Sequence, residues 1–130
     1  MRKIKFRGMN NEGQWIYGSL LQINFSENYI YQVHYGDLDD IDFGRGFKKV
    51  TNVGQYTGIT DKNGIEIYEG DIVRGKDGEI GKVVFDKGAF FGAFENEEKF
   101  RYYDYLSEET QVLGNIYENP ELLKKEGVVY

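Results

Sequence analysis

Apolar and polar residues alternate along this chain in short runs, and glycine punctuates the runs. Lys3-Ile-Lys-Phe-Arg7 sets Ile4 and Phe6 on one side and Lys3, Lys5 and Arg7 on the other. A period of two marks a half-buried strand. The pattern predicts further strands over 14–17 and 20–23, interrupted near Gly18, and over 29–35. Runs at 65–68, 72–73, 80–85, 89–94, 99–106 and 112–117 read the same way, with 89–94 apolar enough to be buried on both faces.

Four turns between these runs share a spelling: Asn10-Asn-Glu-Gly13, Asp61-Lys-Asn-Gly64, Gly75-Lys-Asp-Gly78 and Asp86-Lys-Gly88. A three-residue hairpin loop is a type I turn followed by one residue at positive φ, where glycine carries no Cβ penalty. Asn63-Gly64 also fits a two-residue type I′ turn, and the spelling leaves that choice open. Valine at Gly64 or Gly70 is expected to lower stability by more than about 1 kcal/mol, because positive φ excludes a β-branched side chain. One helix start is marked. Asn119 can cap, Pro120 suits the first position, and Glu121 favours the positive dipole end. Leu122 and Leu123 would pack inward, and Gly127 would close a helix of about two turns. The longest loop is 37–46, DLDDIDFGRG.

These elements predict a mainly β fold. It is an antiparallel meander with an SH3-like small barrel element, extra N-terminal strands and one short C-terminal helix. EGDIV at 69–73, a turn, and GKVVF at 81–85 resemble the opening hairpin of such barrels. Gly70 allows the sharp entry, and Asp71 can accept hydrogen bonds from backbone amides ahead of the strand. The expected core takes in Phe6, Trp15, Tyr31, Val53, Tyr56, Ile67, Ile72, Val83, Phe85, Phe91, Phe100, Leu113, Ile116 and Leu122. No linker divides the chain, so 1–130 is expected to be a single domain, long enough to bury roughly two-thirds of its unfolded surface.

Composition agrees with strands and tight turns: Gly is 17, Pro is 1, and aromatics make up 16%. With no cysteine, disulfides and thiolate metal sites are excluded. The start, MRKIKFR, has basic residues but no apolar run behind them, so no signal peptide is expected. No apolar run approaches a membrane span, and a cytoplasmic protein without a membrane partner is the expectation. The net charge is −6, unevenly spread: residues 1–52 carry 7 basic and 6 acidic groups (+1), and 53–130 carry 9 and 16 (−7). So acidic a second part argues against wrapping a phosphate backbone over the whole surface.

Candidate chemistry is sparse. His34 is the one histidine and has no cysteine or second histidine to build a metal set. Asp37, Asp39, Asp40 and Asp42 invite a calcium loop, but in frames starting at Asp37 or Asp40 the sixth position is Asp42 or Arg45, not the required glycine. A solvated acidic loop is the simpler reading. No GxxxxGK[ST] and no strand-following GxGxxG is present. No catalytic, cofactor or metal residues are therefore assigned. Two basic stripes remain: Lys3, Lys5 and Arg7, and a second face of Lys99, Arg101, Tyr103 and Tyr105. Cations interleaved with rings are what a single-strand groove uses. Lysines that guard a sheet edge and tyrosines that cover a half-buried sheet give the same pattern. The face Lys99, Arg101, Tyr103 and Tyr105 is the candidate interaction face.

Three blocks, KIKFR at 3–7, VGQYTGITDKNGIEIYEGDIV at 53–73 and VLGNIYENPELL at 112–123, resemble the YopX-like family of small phage and prophage proteins. They span nearly the whole chain in the family's order. The N-terminal block departs from the pattern: where members often have Arg, a small residue, Trp and Asp, Arg7 is followed by Gly8, Met9 and Asn10. The resemblance implies a phage-encoded protein with no established biochemical activity and a capacity to form oligomers. It carries over no catalytic residues. The expected function is a non-enzymatic phage accessory protein that binds a host protein, a phage protein or itself. A small barrel that binds nucleic acid is the alternative.

Overall fold

The computed structural model describes residues 3–32, 46–96 and 98–123. The expected strand over 33–35, His34, the aspartates Asp37, Asp39, Asp40 and Asp42, and Gly127 lie outside them. The described residues form ten strands: β1 (Phe6–Met9), β2 (Trp15–Ile23), β3 (Glu27–Tyr31), β4 (Phe47–Thr60), β5 (Glu66–Tyr68), β6 (Asp71–Arg74), β7 (Ile80–Asp86), β8 (Ala89–Glu95), β9 (Arg101–Asp104) and β10 (Gln111–Asn115). A 3₁₀ turn follows at Pro120–Leu123. The fold is mainly β and antiparallel, as the alternation predicts. Contacts group the chain into two compact units, Met1–Tyr56 and Thr57–Tyr130, and β4 runs from one into the other.

In the first unit, two long strands each change partner half-way. Positions 15–18 of β2 pair with β1 and positions 19–23 with β3. Likewise 47–50 of β4 pair with β3 and 51–55 with β1. The result is two three-stranded leaves sharing β2 and β4, with corners where those strands bend. Gly18 makes one corner. At the other, Asn52 and Val53 face the single residue Gly8, a bulge helped by the positive φ of Asn52 (54°). Ile30 and Val50 are buried between the leaves, and β1 approaches them closely: a Cβ on Gly8 would lie 2.6 Å from Val50 Cβ. The N-terminal basic stripe is a solvent face only at Lys3. Arg7 is buried, its guanidinium 4.5 Å from the Trp15 ring centre, and Lys5 Nζ lies 5.4 Å over the Tyr56 ring.

In the second unit the sheet order is β10-β6-β7-β8-β9. One face carries Val73, Val83 and Phe94, which pack with Ile67 of β5, Leu106 and, from the end of β4, Ile59. Each such side chain, fully buried, contributes about 1.5–3 kcal/mol. Of the expected core, Tyr56, Ile67, Ile72 and Val83 are buried, and most of the others are half-buried. Phe85 and Phe100 are corrections, 53% and 66% exposed. Phe85 sits where β7 runs out past the core and pairs across the hairpin with Phe90, centroids 4.9 Å apart. Phe100 lies between the turn after β8 and the start of β9.

All four glycine turns hold, with φ of 76°, 78°, 88° and 82° at Gly13, Gly64, Gly78 and Gly88. At Asp61 the three-residue form is taken: Gly64 N–H donates to the Asp61 carbonyl (3.0 Å), and Asp61 N–H to that of Ile65 (2.7 Å). Asp86 instead pairs with Ala89 around Lys87 (φ 49°) and Gly88, a two-residue type I′ loop. A fifth turn carries no glycine. It runs from Asn96 to Phe100, with Lys99 in the left-handed position at φ 66°. Lys99→Gly is therefore expected to raise stability by roughly 0.5–1 kcal/mol in urea melts, where a substitution on an ordinary exposed strand would lower it.

The expected helix is one 3₁₀ turn within the described residues. The Asn119 Oδ1 accepts from the Asn115 amide (3.2 Å) instead of capping the turn that follows it. Leu123 is buried, as expected, and Leu122 is half-buried. No helix among the described residues is long and apolar enough to cross a membrane.

Candidate functional site

Strand β9 ends its sheet, and it pairs with β8 in the register Glu95↔Arg101, Ala93↔Tyr103. Alternation then sends Arg101 and Tyr103 to the face opposite the Val83 and Phe94 core, beside Phe91, Ala93 and Glu95 of β8 and Lys82 and Val84 of β7. A cleft of about 560 Å³ lies along β7, β8 and β9, lined mainly from this face and also by Gly81, Phe94 and Tyr102. Ile80, Val84 and Ala93 give it an apolar floor, and Leu123 of the 3₁₀ turn forms part of its lining. Lys82, Glu95, Arg101 and Tyr103 supply the polar groups.

Of the candidate face, Arg101 and Tyr103 line this cleft, while Lys99 and Tyr105 do not. The positive φ of Lys99 places it in the turn and out of the strand's alternation. Tyr105 follows the end of β9 and is 80% exposed. The two tyrosines are not independent of the sheet. The Tyr103 ring stacks on Phe91 at 5.7 Å and 19°, and Tyr105 leans on the same ring at 5.7 Å and 47°. Such contacts stabilise a sheet surface, yet Tyr103 keeps 54% of its surface exposed.

Lys82 and Glu95 escape the sequence reading, because a lone charge at an inner strand position carries no motif. Among the described residues, Glu95 Oε2 is buried without a hydrogen-bond partner, although Arg101 stands opposite it in register. The cleft thus combines an acceptor in need of a donor, two cations and an aromatic face. Tyr102, on the core side, packs on Phe94 with centroids 5.8 Å apart. Burial pushes its phenol pKa up, and the Glu79, Asp104 and Asp77 charges add to that, so the hydroxyl stays a neutral donor. No group of three or more His, Cys, Asp or Glu able to hold a metal ion occurs among the described residues.

The block 53–73 is a different matter, for its polar residues serve the backbone. Asp71 is buried and accepts from the Tyr68 amide (2.8 Å), closing the turn around Gly70 as the sequence predicts. Asp61 is 4% exposed. Its Oδ1 accepts from the Asn63 and Ile65 amides (2.8 and 2.9 Å), and its Oδ2 from the Val112 amide of β10 (2.9 Å). Burial alone would raise the pKa of this carboxyl. The Val112, Ile65 and Asn63 amides and the Lys62 charge outweigh it and hold the pKa below its ordinary value. Thr57 Oγ1 donates to the Ile67 carbonyl (2.8 Å), tying β4 to β5.

An all-β protein of antiparallel sheets, with a mixed polar and aromatic cleft on one outer face, is the class these features define. The family model described as YopX protein matches residues 5–124, and the chain belongs to that family. No curated protein matches it. Among solved structures it is similar to the crystal structure of protein EF1440 from Enterococcus faecalis. The two share 21% identity and a TM-score of 0.56 over 95% of this chain and 100% of that one. At that identity the likeness concerns the fold.

Proposed function

We propose that this YopX-family chain is a non-enzymatic binding module whose outer sheet face, at the β7–β9 cleft, takes a segment of a protein partner. The observation that carries the reading is the joint presence of Arg101 and the exposed Tyr103 ring over an apolar floor. Arg and Tyr are enriched at interfaces because they bring large contact areas and several hydrogen bonds at low entropic cost. The partner in this reading is a host protein, a phage protein or a second copy, met in the cytoplasm of a bacterial host. The module itself is read as a phage or prophage accessory protein built around an SH3-like small barrel.

Arg101→Ala and Tyr103→Ala are expected to abolish partner capture from host lysate, or self-association in light scattering, while the protein stays folded, with Tyr103→Ala costing about 1 kcal/mol through its lost stacking on Phe91. A wild-type protein that stays monomeric and captures nothing would overturn the reading. Nucleic acid is the second reading, favoured by Lys82 and Arg101 beside the Tyr103 ring and opposed by the −6 charge. It requires retention of single-stranded DNA or RNA that weakens with salt and disappears in the same two variants.

A further inference from the structure

Away from the β9 cleft, and sharing no residue with it, a pocket of about 400 Å³ opens where the Asp61 and Gly75 turns meet the start of β10. Lys62, Arg74 and Lys76 line it, against a single carboxylate, Glu109. That balance runs against its surroundings, since residues 53–130 hold 9 basic and 16 acidic groups. Random placement in so acidic a segment would set more carboxylates than cations around a pocket. Lys62 also acts on its neighbour Asp61, favouring the charged carboxylate.

The backbone beneath these side chains is tied down. Lys62 N–H donates to the Thr110 carbonyl (3.0 Å), and its neighbour Asp61 holds the Val112 amide. Arg74 sits opposite Gln111 in the β6–β10 ladder. Lys76 belongs to a turn closed by Gly75 N–H to the Glu79 carbonyl (2.8 Å) and Gly78 N–H to that of Gly75 (3.0 Å). Three cations thus project from fixed backbone positions around one small concavity. Arg74 brings a fork suited to two oxygens of one group, and the lysines bring point charges.

We infer that Lys62, Arg74 and Lys76 form a binding site for a compact phosphate-bearing anion, with Gln111 as an additional hydrogen-bonding group. Gly78, whose Cβ would meet nothing within 4 Å, leaves the wall beside Lys76 open, whereas the Glu79 carboxylate packs over Gly75. Glu109 restrains the affinity by its like charge.

The test is calorimetric titration of the full chain with pyrophosphate, a nucleoside 5′-monophosphate and single-stranded DNA at low salt. Saturable one-site binding of pyrophosphate is expected, at least tenfold weaker in Arg74→Gln/Lys76→Gln and about threefold tighter in Glu109→Gln. Arg101→Ala should bind as wild type, which separates this site from the β9 cleft. All three positions are exposed, so thermal melts of the variants should match wild type. Absence of saturable binding, binding indifferent to these substitutions, or binding of DNA without binding of pyrophosphate would overturn the assignment.

Discussion

Asp61→Ala should lower the unfolding free energy by about 3–5 kcal/mol in urea melts, because it leaves the Asn63, Ile65 and Val112 amides without their charged acceptor. Asp61→Asn separates the two halves of that effect. Asn10 and Asn96 accept from the amides two and four residues on in the same way, so an asparagine completes the local turn as well as an aspartate does. Only Asp61 reaches with a second oxygen across 51 residues to Val112. Asparagine there would turn an NH₂ group toward the Val112 N–H, and a loss of about 1–3 kcal/mol is expected. The pH dependence follows from the lowered pKa. A carboxyl with a depressed folded pKa gives stability that is fully present above its unfolded pKa, about 3.9, and is lost as pH falls through the folded value. The Asp61→Asn variant should therefore lose less stability than wild type as the pH falls below about 4.

Gly18→Ala is the second large effect. At φ 155°, Gly18 lies where β2 leaves β1 for β3, and a Cβ there would overlap the Tyr31 carbonyl oxygen and lie 3.2 Å from Ile30 Cγ2. The obstacle on one side is backbone, which cannot rotate away, and on the other a buried core residue. Relief requires β3 to withdraw, opening the Ser19↔Tyr31 and Leu20↔Ile30 pairs. A loss of about 3 kcal/mol or more is expected, within the range of strained or overpacked sites. Alanine at Gly13, whose Cβ would meet nothing within 4 Å, isolates the cost of positive φ alone and should lose only about 1 kcal/mol.

The turns were readable where glycine marks positive φ; two others were hidden because Lys99, and Asn24 with Phe25 between β2 and β3, take that conformation without glycine. Strand β4 was the largest omission. Strands were expected at 65–68 and 72–73 of the 53–73 block but none over 47–60, where Phe47–Thr60 is a 14-residue strand. Gly54, Gly58 and the bulge at Asn52 dilute its alternation, and its pairing to β1 and β3 is non-local. Alternation found the sides of β7 and β9 but not where the core stops, which is why Phe85 and Phe100 were expected inside. For the candidate face, parity correctly united Arg101 and Tyr103. The register that adds Lys82 and Glu95 depends on strands β7 and β8 that no local pattern aligns.

The central structural claim is that the glycine- and aspartate-rich block serves as joinery, with Asp61 clamping its hairpin to β10. Amide hydrogen exchange of wild type and Asp61→Asn, compared residue by residue, tests it most directly. The expected result is a selective acceleration at Val112 beyond the general loss of stability, with the Asn63 and Ile65 amides still protected by the asparagine oxygen. Unchanged protection at Val112, or equal acceleration at all three amides, would contradict it.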